Sequence, residues 1–86
     1  MKRASNSGIR RAVEADIPEI ARLYHSAWHE TQARFMPREE IVRRDLAFFT
    51  GRMSTLVSCC LVAVQQDSIV AFSAWTGTLI GQIWVA

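Results

Sequence analysis

The chain has 86 residues, ten Lys and Arg against eight Asp and Glu, and is 50% hydrophobic. That length allows one small domain at most, and the apolar content excludes a disordered tail. No apolar run reaches the roughly 20 residues that span a bilayer, and a net charge of +2 is too small to argue for nucleic acid. A cytoplasmic protein with neither a membrane nor a nucleic-acid partner is therefore the starting expectation.

The charges are unevenly placed. Residues 1–52 carry 17 of the 18 charged side chains, and residues 53–86 carry only Asp67. The second segment is expected to be buried on both faces or covered by something else. Cys59 and Cys60 are neighbours. Adjacent residues of a strand point to opposite faces, so the pair is unsuited to a disulfide. It also lacks the CxxC spacing of a metal site, and both are read as small hydrophobes.

In chain order, residues 1–8 are basic and polar and lead into no apolar stretch of signal-peptide type, so they are read as a flexible leader. Ile9 to Val13 alternates like a short strand. Asp16, Pro18 and Glu19 make a helix start: a capping residue, a proline in the first turn and an acidic residue completing a capping box. Ile17, Ile20, Ala21, Leu23, Tyr24, Ala27 and Trp28 follow at helical spacing, predicting a helix to about Thr31. Pro37 opens a second helix with an apolar stripe at Ile41, Val42, Leu46 and Phe49, ended by Gly51.

From Leu56 the period becomes two. Cys60–Val64 and Ile69–Trp75 read as a hairpin about a turn at residues 65–68. After a turn at residues 76–78, Leu79–Ala86 is a third run of strand type, apolar on both faces. The order β-α-α-β-β-β predicts an α+β fold, a mostly antiparallel sheet covered by two helices, with residues 9–86 as one unit.

Histidines 25 and 29 are four apart on the first helix, but the pattern is not His-Glu-x-x-His and no third ligand is evident, so no metal is expected. The pairs Arg10-Arg11 and Arg43-Arg44 read as solvated charge. Tyr24 and Trp28 read as core by spacing, and Trp75 and Trp84 as core or interface.

Taken together, Ile9-Arg10-Arg11-Ala12 leading into Asp16-Ile17-Pro18, Ser26-Ala27-Trp28 with Arg34-Phe35-Met36-Pro37, the strands Leu61–Val64 and Ile69–Phe72, and the closing Gln82–Ala86 resemble the N-terminal half of the GNAT superfamily of N-acetyltransferases. The resemblance covers residues 9–86. It implies acetyl transfer from acetyl-CoA to an amine, a small molecule or a peptide, by direct attack on the thioester. It implies that backbone groups at Ile83, Trp84 and Val85 contact acetyl-CoA. It also implies that Trp28, Thr31, Gln32 and Phe35 border the acceptor. No catalytic base carries over; His29 and Glu30 are candidates by location alone, and Gln82 cannot act as a base.

The family's next element, a Gly-x-Gly loop whose amides and helix N-terminus hold the coenzyme pyrophosphate, is not among these residues. A truncated, weakly active or inactive fragment is the resulting expectation. The rival expectation is a non-catalytic homodimer joined through strand 79–86. A third is a product trimmed by frameshift, premature stop or proteolysis.

Overall fold

The computed structural model describes residues 7–76 and 79–85. Residues 1–6 of the expected leader, Gly77 and Thr78 of the expected turn, and Ala86 lie outside them. The ordered elements are β1 (Gly8–Arg11), α1 (Ile17–Thr31), α2 (Arg38–Arg43), α3 (Leu46–Leu56), β2 (Cys60–Gln65), β3 (Ser68–Thr76) and β4 (Leu79–Val85). The strands form one antiparallel sheet in the order β1-β2-β3-β4. The α+β architecture is therefore the expected one, with three helices rather than two.

The helix begins and ends where the apolar spacing places it, but its start is built differently. Asp16 has helical dihedrals and caps nothing; its carboxylate turns back to the Arg10 guanidinium at 2.7 and 3.0 Å and accepts the Val13 N–H at 2.8 Å. That pairing holds the Asp16 carboxyl below its ordinary range. Glu19 forms no capping box. Its Oε2 accepts the Ile69 N–H at 2.8 Å. The register between β2 and β3 shifts there, pairing Ala63 with Ala71 and Val64 with Ile69, so Val70 is the additional residue of a bulge. Glu19→Ala leaves the amide of the buried Ile69 without its acceptor. Chemical denaturation is expected to show a loss of about 1–3 kcal/mol, and an unchanged midpoint would refute this role for Glu19.

The expected second helix is two helices. Arg44 leaves helical geometry (φ −88°, ψ 59°), and Asp45 is extended, its carboxylate accepting the Phe48 N–H at 2.9 Å as the N-cap of α3. The break rotates the expected stripe apart. Phe49 is fully buried, whereas Val42 is 69% exposed and Leu46 lies at the surface. Gly51 does not end the helix; it sits inside α3, exposed, with open space where a Cβ would stand. Gly51→Ala is accordingly expected to raise stability by about 0.5–1 kcal/mol, read as a higher denaturation midpoint at constant m.

The hairpin of β2 and β3 turns tightly on Gln66 and Asp67, both at positive φ (51° and 66°), the signature of a type I′ turn. All three helices come before it in the chain. One face of the sheet packs against α1 and α3: Val62, Val64, Ile69, Phe72 and Ala74 meet Ile20, Tyr24, Phe49 and Met53 in one core. Tyr24 is its centre, with ring centroids 4.5 Å from Phe49 and 5.3 Å from both Phe72 and Trp84. Cys60 is buried in that core, which pushes its thiol up to about 11. It and the half-buried Cys59 are free thiols.

The other face of the sheet is apolar and open. Ile9 is 76% exposed and Ile83 64%. Leu61, Ala63, Ala71 and Ser73 complete the floor of a shallow groove of about 180 Å³ there. Among the described residues, the charge-poor second half of the chain is thus covered on one face only.

Candidate functional site

The site residues expected from sequence fall at two places, the C-terminal end of α1 and the end of β4. β4 packs on α1 through Trp84, whose ring centroid lies 5.3 Å from that of Tyr24 in the middle of the helix and which is half-buried against the core. Beyond that contact, Leu23, Ser26, Ala27 and Glu30 of α1 and Val85 of β4 line a pocket of about 170 Å³. Ile83 is not part of this pocket; it lines the groove on the opposite face. β4 pairs with β3 alone among the described strands, and Ala74 faces Gln82 while Trp75 faces Ile80, so Gly81 is the additional residue of a bulge.

The acceptor-side residues are less tightly grouped. Trp28 is a core residue, 5% exposed, with its ring centroid 6.1 Å from that of Phe49 and 5.0 Å from that of His29. Thr31 ends α1 and spends its hydroxyl on the Ala27 carbonyl at 2.7 Å. Gln32 closes the helix through its N–H to the Trp28 carbonyl at 2.8 Å. Phe35, in a 3-10 turn, is 73% exposed, and the Arg34 guanidinium lies over its ring at 5.5 Å. None of Thr31, Gln32 and Phe35 lines the pocket with Val85.

A latch that the sequence did not reveal fixes α1 to the α2–α3 junction. The Arg44 guanidinium lies 5.2 Å from the Trp28 ring centroid and 4.8 Å from that of Phe48. Its buried Nε is 3.7 Å from Glu40 Oε2, an ion pair too long for a hydrogen bond. His29 donates its Nε2–H to the Arg44 carbonyl at 2.7 Å, which commits that nitrogen to structure. Arg43 pairs with Glu40 at 3.3 Å. The double arginine is thus one solvated pair and one stacked side chain. The signal available in sequence was Asp45, three residues before Phe48, a helix N-cap pattern.

The two histidines stack with centroids 4.4 Å apart. Burial, helped by His29 and opposed by Asp45, holds the His25 imidazole below its ordinary 6.5. A base with a depressed pKa in the folded state favours folding in its neutral form. Its contribution is complete above 6.5 and is lost as pH falls below that value toward the folded pKa. Stability is expected to decline as pH is lowered from 6.5, and His25→Gln is expected to flatten that decline; parallel pH profiles would refute the assignment. Among the described residues no three His, Cys, Asp or Glu side chains come together as a metal site requires, and no helix is long and apolar enough to cross a membrane.

The described strands form a four-stranded antiparallel meander with the helices on one face and a bulged last strand, an α+β fold. No protein-family model matches the chain, and no curated protein matches its sequence. Solved structures do match its fold. One is the PaiA N-acetyltransferase of Thermoplasma acidophilum in complex with coenzyme A, at TM-score 0.65 and 13% identity, over 93% of this chain and 58% of that one. Another is a GCN5-related N-acetyltransferase (aminotransferase, class II) of Rhodopseudomonas palustris, at TM-score 0.61 and 22% identity, over 99% of this chain and 56% of that one. The fold is that of part of a GNAT N-acetyltransferase, and the chain spans a little over half the length of these structures.

Proposed function

We propose that this chain supplies the acceptor side and one wall of the acetyl-CoA site of an N-acetyltransferase. The observation that carries the reading is β4: among the described strands it is hydrogen-bonded to β3, and its register breaks at Gly81, two residues before Ile83. A bulge re-aims the backbone of the strand that carries it, and a backbone amide held in a fixed direction is what polarising a thioester carbonyl needs. The amine nitrogen attacks the carbonyl carbon, the C–N bond forms, the C–S bond breaks, and the sulfur leaves as thiolate while the amine gives up a proton. Ile83, Trp84 and Val85 contact the coenzyme in this reading, and Trp28, Thr31, Gln32 and Phe35 shape the acceptor end. Trp28 does so from within the core, by holding the end of α1.

Nothing among the 86 residues provides a Gly-x-Gly phosphate loop. The chain alone is therefore expected to bind acetyl-CoA only in the millimolar range and to turn over little or none. Calorimetry with acetyl-CoA tests this: sub-millimolar binding would mean that the 86 residues hold an anion site of their own. Two free cysteines fit the reducing cytoplasm.

A second reading is a homodimer joined edge to edge through β4, favoured by the exposure of Ile83 and Val85 beside that open edge. A stable monomer by sedimentation at micromolar concentration eliminates it.

A further inference from the structure

Between Trp28 and Phe49 no residue is buried. That segment includes α2, whose 6 residues are too few to hold a helix on their own. Ala33 and Phe48 pack partly against the core near its two ends. Among the described residues, the long-range hydrogen bond that ties α2 down is the one from His29 Nε2–H to the Arg44 carbonyl at 2.7 Å. The Arg44 guanidinium adds its contacts with the Trp28 and Phe48 rings. The docking of α2 on α1 therefore runs through residue 44. His29 also covers His25: the two rings stack with centroids 4.4 Å apart, and Phe49 of α3 meets His25 edge-on at 5.9 Å. The charged and titratable groups around the two rings are the exposed Arg22 on their own helix, Arg44 with Glu40 at the junction, and Asp45 at the head of α3. Asp45 favours a charged His25, yet it is exposed and already accepts the Phe48 N–H.

We propose that His25 and His29 form a proton-operated latch, in which a proton on His25 lifts His29 from the Arg44 carbonyl and releases α2 from α1. A proton on His29 itself keeps the Nε2–H donor, so His29 is the bolt and His25 the sensor. An imidazolium needs water, and the stacked His29 ring withholds it from His25. Turning His29 away hydrates His25 and breaks the bond to Arg44, which leaves α2 held by the Arg44 stacking alone. The released form thus binds the proton more readily than the docked form, and acid favours it. Burial, and after it His29, hold His25 below its ordinary 6.5 in the docked form. Docking is therefore complete above 6.5 and is lost as pH falls below that value toward the docked pKa. Neither histidine belongs to the core of Tyr24, Phe49 and Phe72, so α1, α3 and the sheet stay packed while α2 moves. The inference is independent of the acyl-transfer reading; where that reading holds, the released segment carries Phe35, and acid loosens the acceptor end.

The test is an NMR pH titration of the 86-residue chain from about pH 8 to about pH 5. It reads the ring nitrogens of both histidines and the heteronuclear NOE of each backbone amide. The NOE of residues 38–44 is expected to drop with the same midpoint as the His25 ring, below 6.5, while α1, β2 and β3 keep theirs. His25→Gln is expected to keep α2 docked throughout the range. His29→Ala is expected to leave α2 loose even at the alkaline end and to move the His25 midpoint up toward 6.5, because the ring that covered it is gone. An α2 that stays rigid while His25 titrates, a His25→Gln chain that still loosens in acid, or a simultaneous loss of NOE across α1, α2 and the sheet would overturn the proposal. A His25 midpoint that His29→Ala leaves unmoved would do so as well.

Discussion

Phe49→Ala is expected to cost about 3–5 kcal/mol, out of a total for a chain of this size of about 4–13 kcal/mol. Phe49 is fully buried and is the one residue of α3 that meets Tyr24, Trp28, His25 and Phe48 at once. Removing its ring withdraws apolar area from the core and leaves a void where three elements meet. α1 and the sheet are tied to each other through Tyr24, so they cannot close over that void without separating from one another. The variant is expected to be largely unfolded or molten at 37 °C, with loss of the cooperative thermal transition. Phe49→Leu keeps most of the volume and is expected to lose under about 1.5 kcal/mol. Similar losses for the two variants would show that Phe49 is not the packing centre.

Trp28→Ala is expected to approach the same cost, about 3–5 kcal/mol, with a different distribution of causes. Trp28 is buried by α3 on one side and by the Arg44 guanidinium on the other. The truncation removes core area and also takes from Arg44 one of its two ring partners, while the buried Nε keeps only its long approach to Glu40. A double-mutant cycle with Arg44→Met separates the two effects: a coupling of about 0.5–2 kcal/mol measures the cation–π contact. Zero coupling would mean that the indole acts through packing alone. Either value bears on the proposed site, because Trp28 sets the position of the last turn of α1, where Thr31 and Glu30 stand.

Sequence patterning carried a large part of this fold. The seven apolar positions of α1 are spaced for one buried face, and all seven are buried. The hairpin was legible because β2 alternates, with Val62 and Val64 on the buried face, and turn residues follow it; the bulge at Val70 that brings Ile69 onto the same face as Phe72 was not legible. What escaped were interactions that periodicity does not encode. Asp16 and Glu19 have the right spacing for a capping box, yet both carboxylates serve distant donors, on Arg10 and on Ile69, that only the tertiary fold brings near. The break at Arg44-Asp45 was hidden because an apolar stripe read through it. The site was legible only at the level of elements. β4 does meet α1, through Trp84 against Tyr24 in the middle of the helix. The pocket is lined in part by Ser26 and Glu30, on the flank of the buried stripe; Ser26 lies in a segment that carried the resemblance, and Glu30 was a candidate by location alone.

The open groove and the proposed coenzyme wall share β4, and this gives the account its most direct check. The measurement is an NMR titration of the chain with acetyl-CoA, followed at the amides of Ile83, Trp84 and Val85. The account predicts progressive, weak-affinity shifts at these three amides and at the end of α1, with β1 and α2 unaffected. Shifts confined to other surfaces, or none at the highest attainable acetyl-CoA concentration, would contradict it.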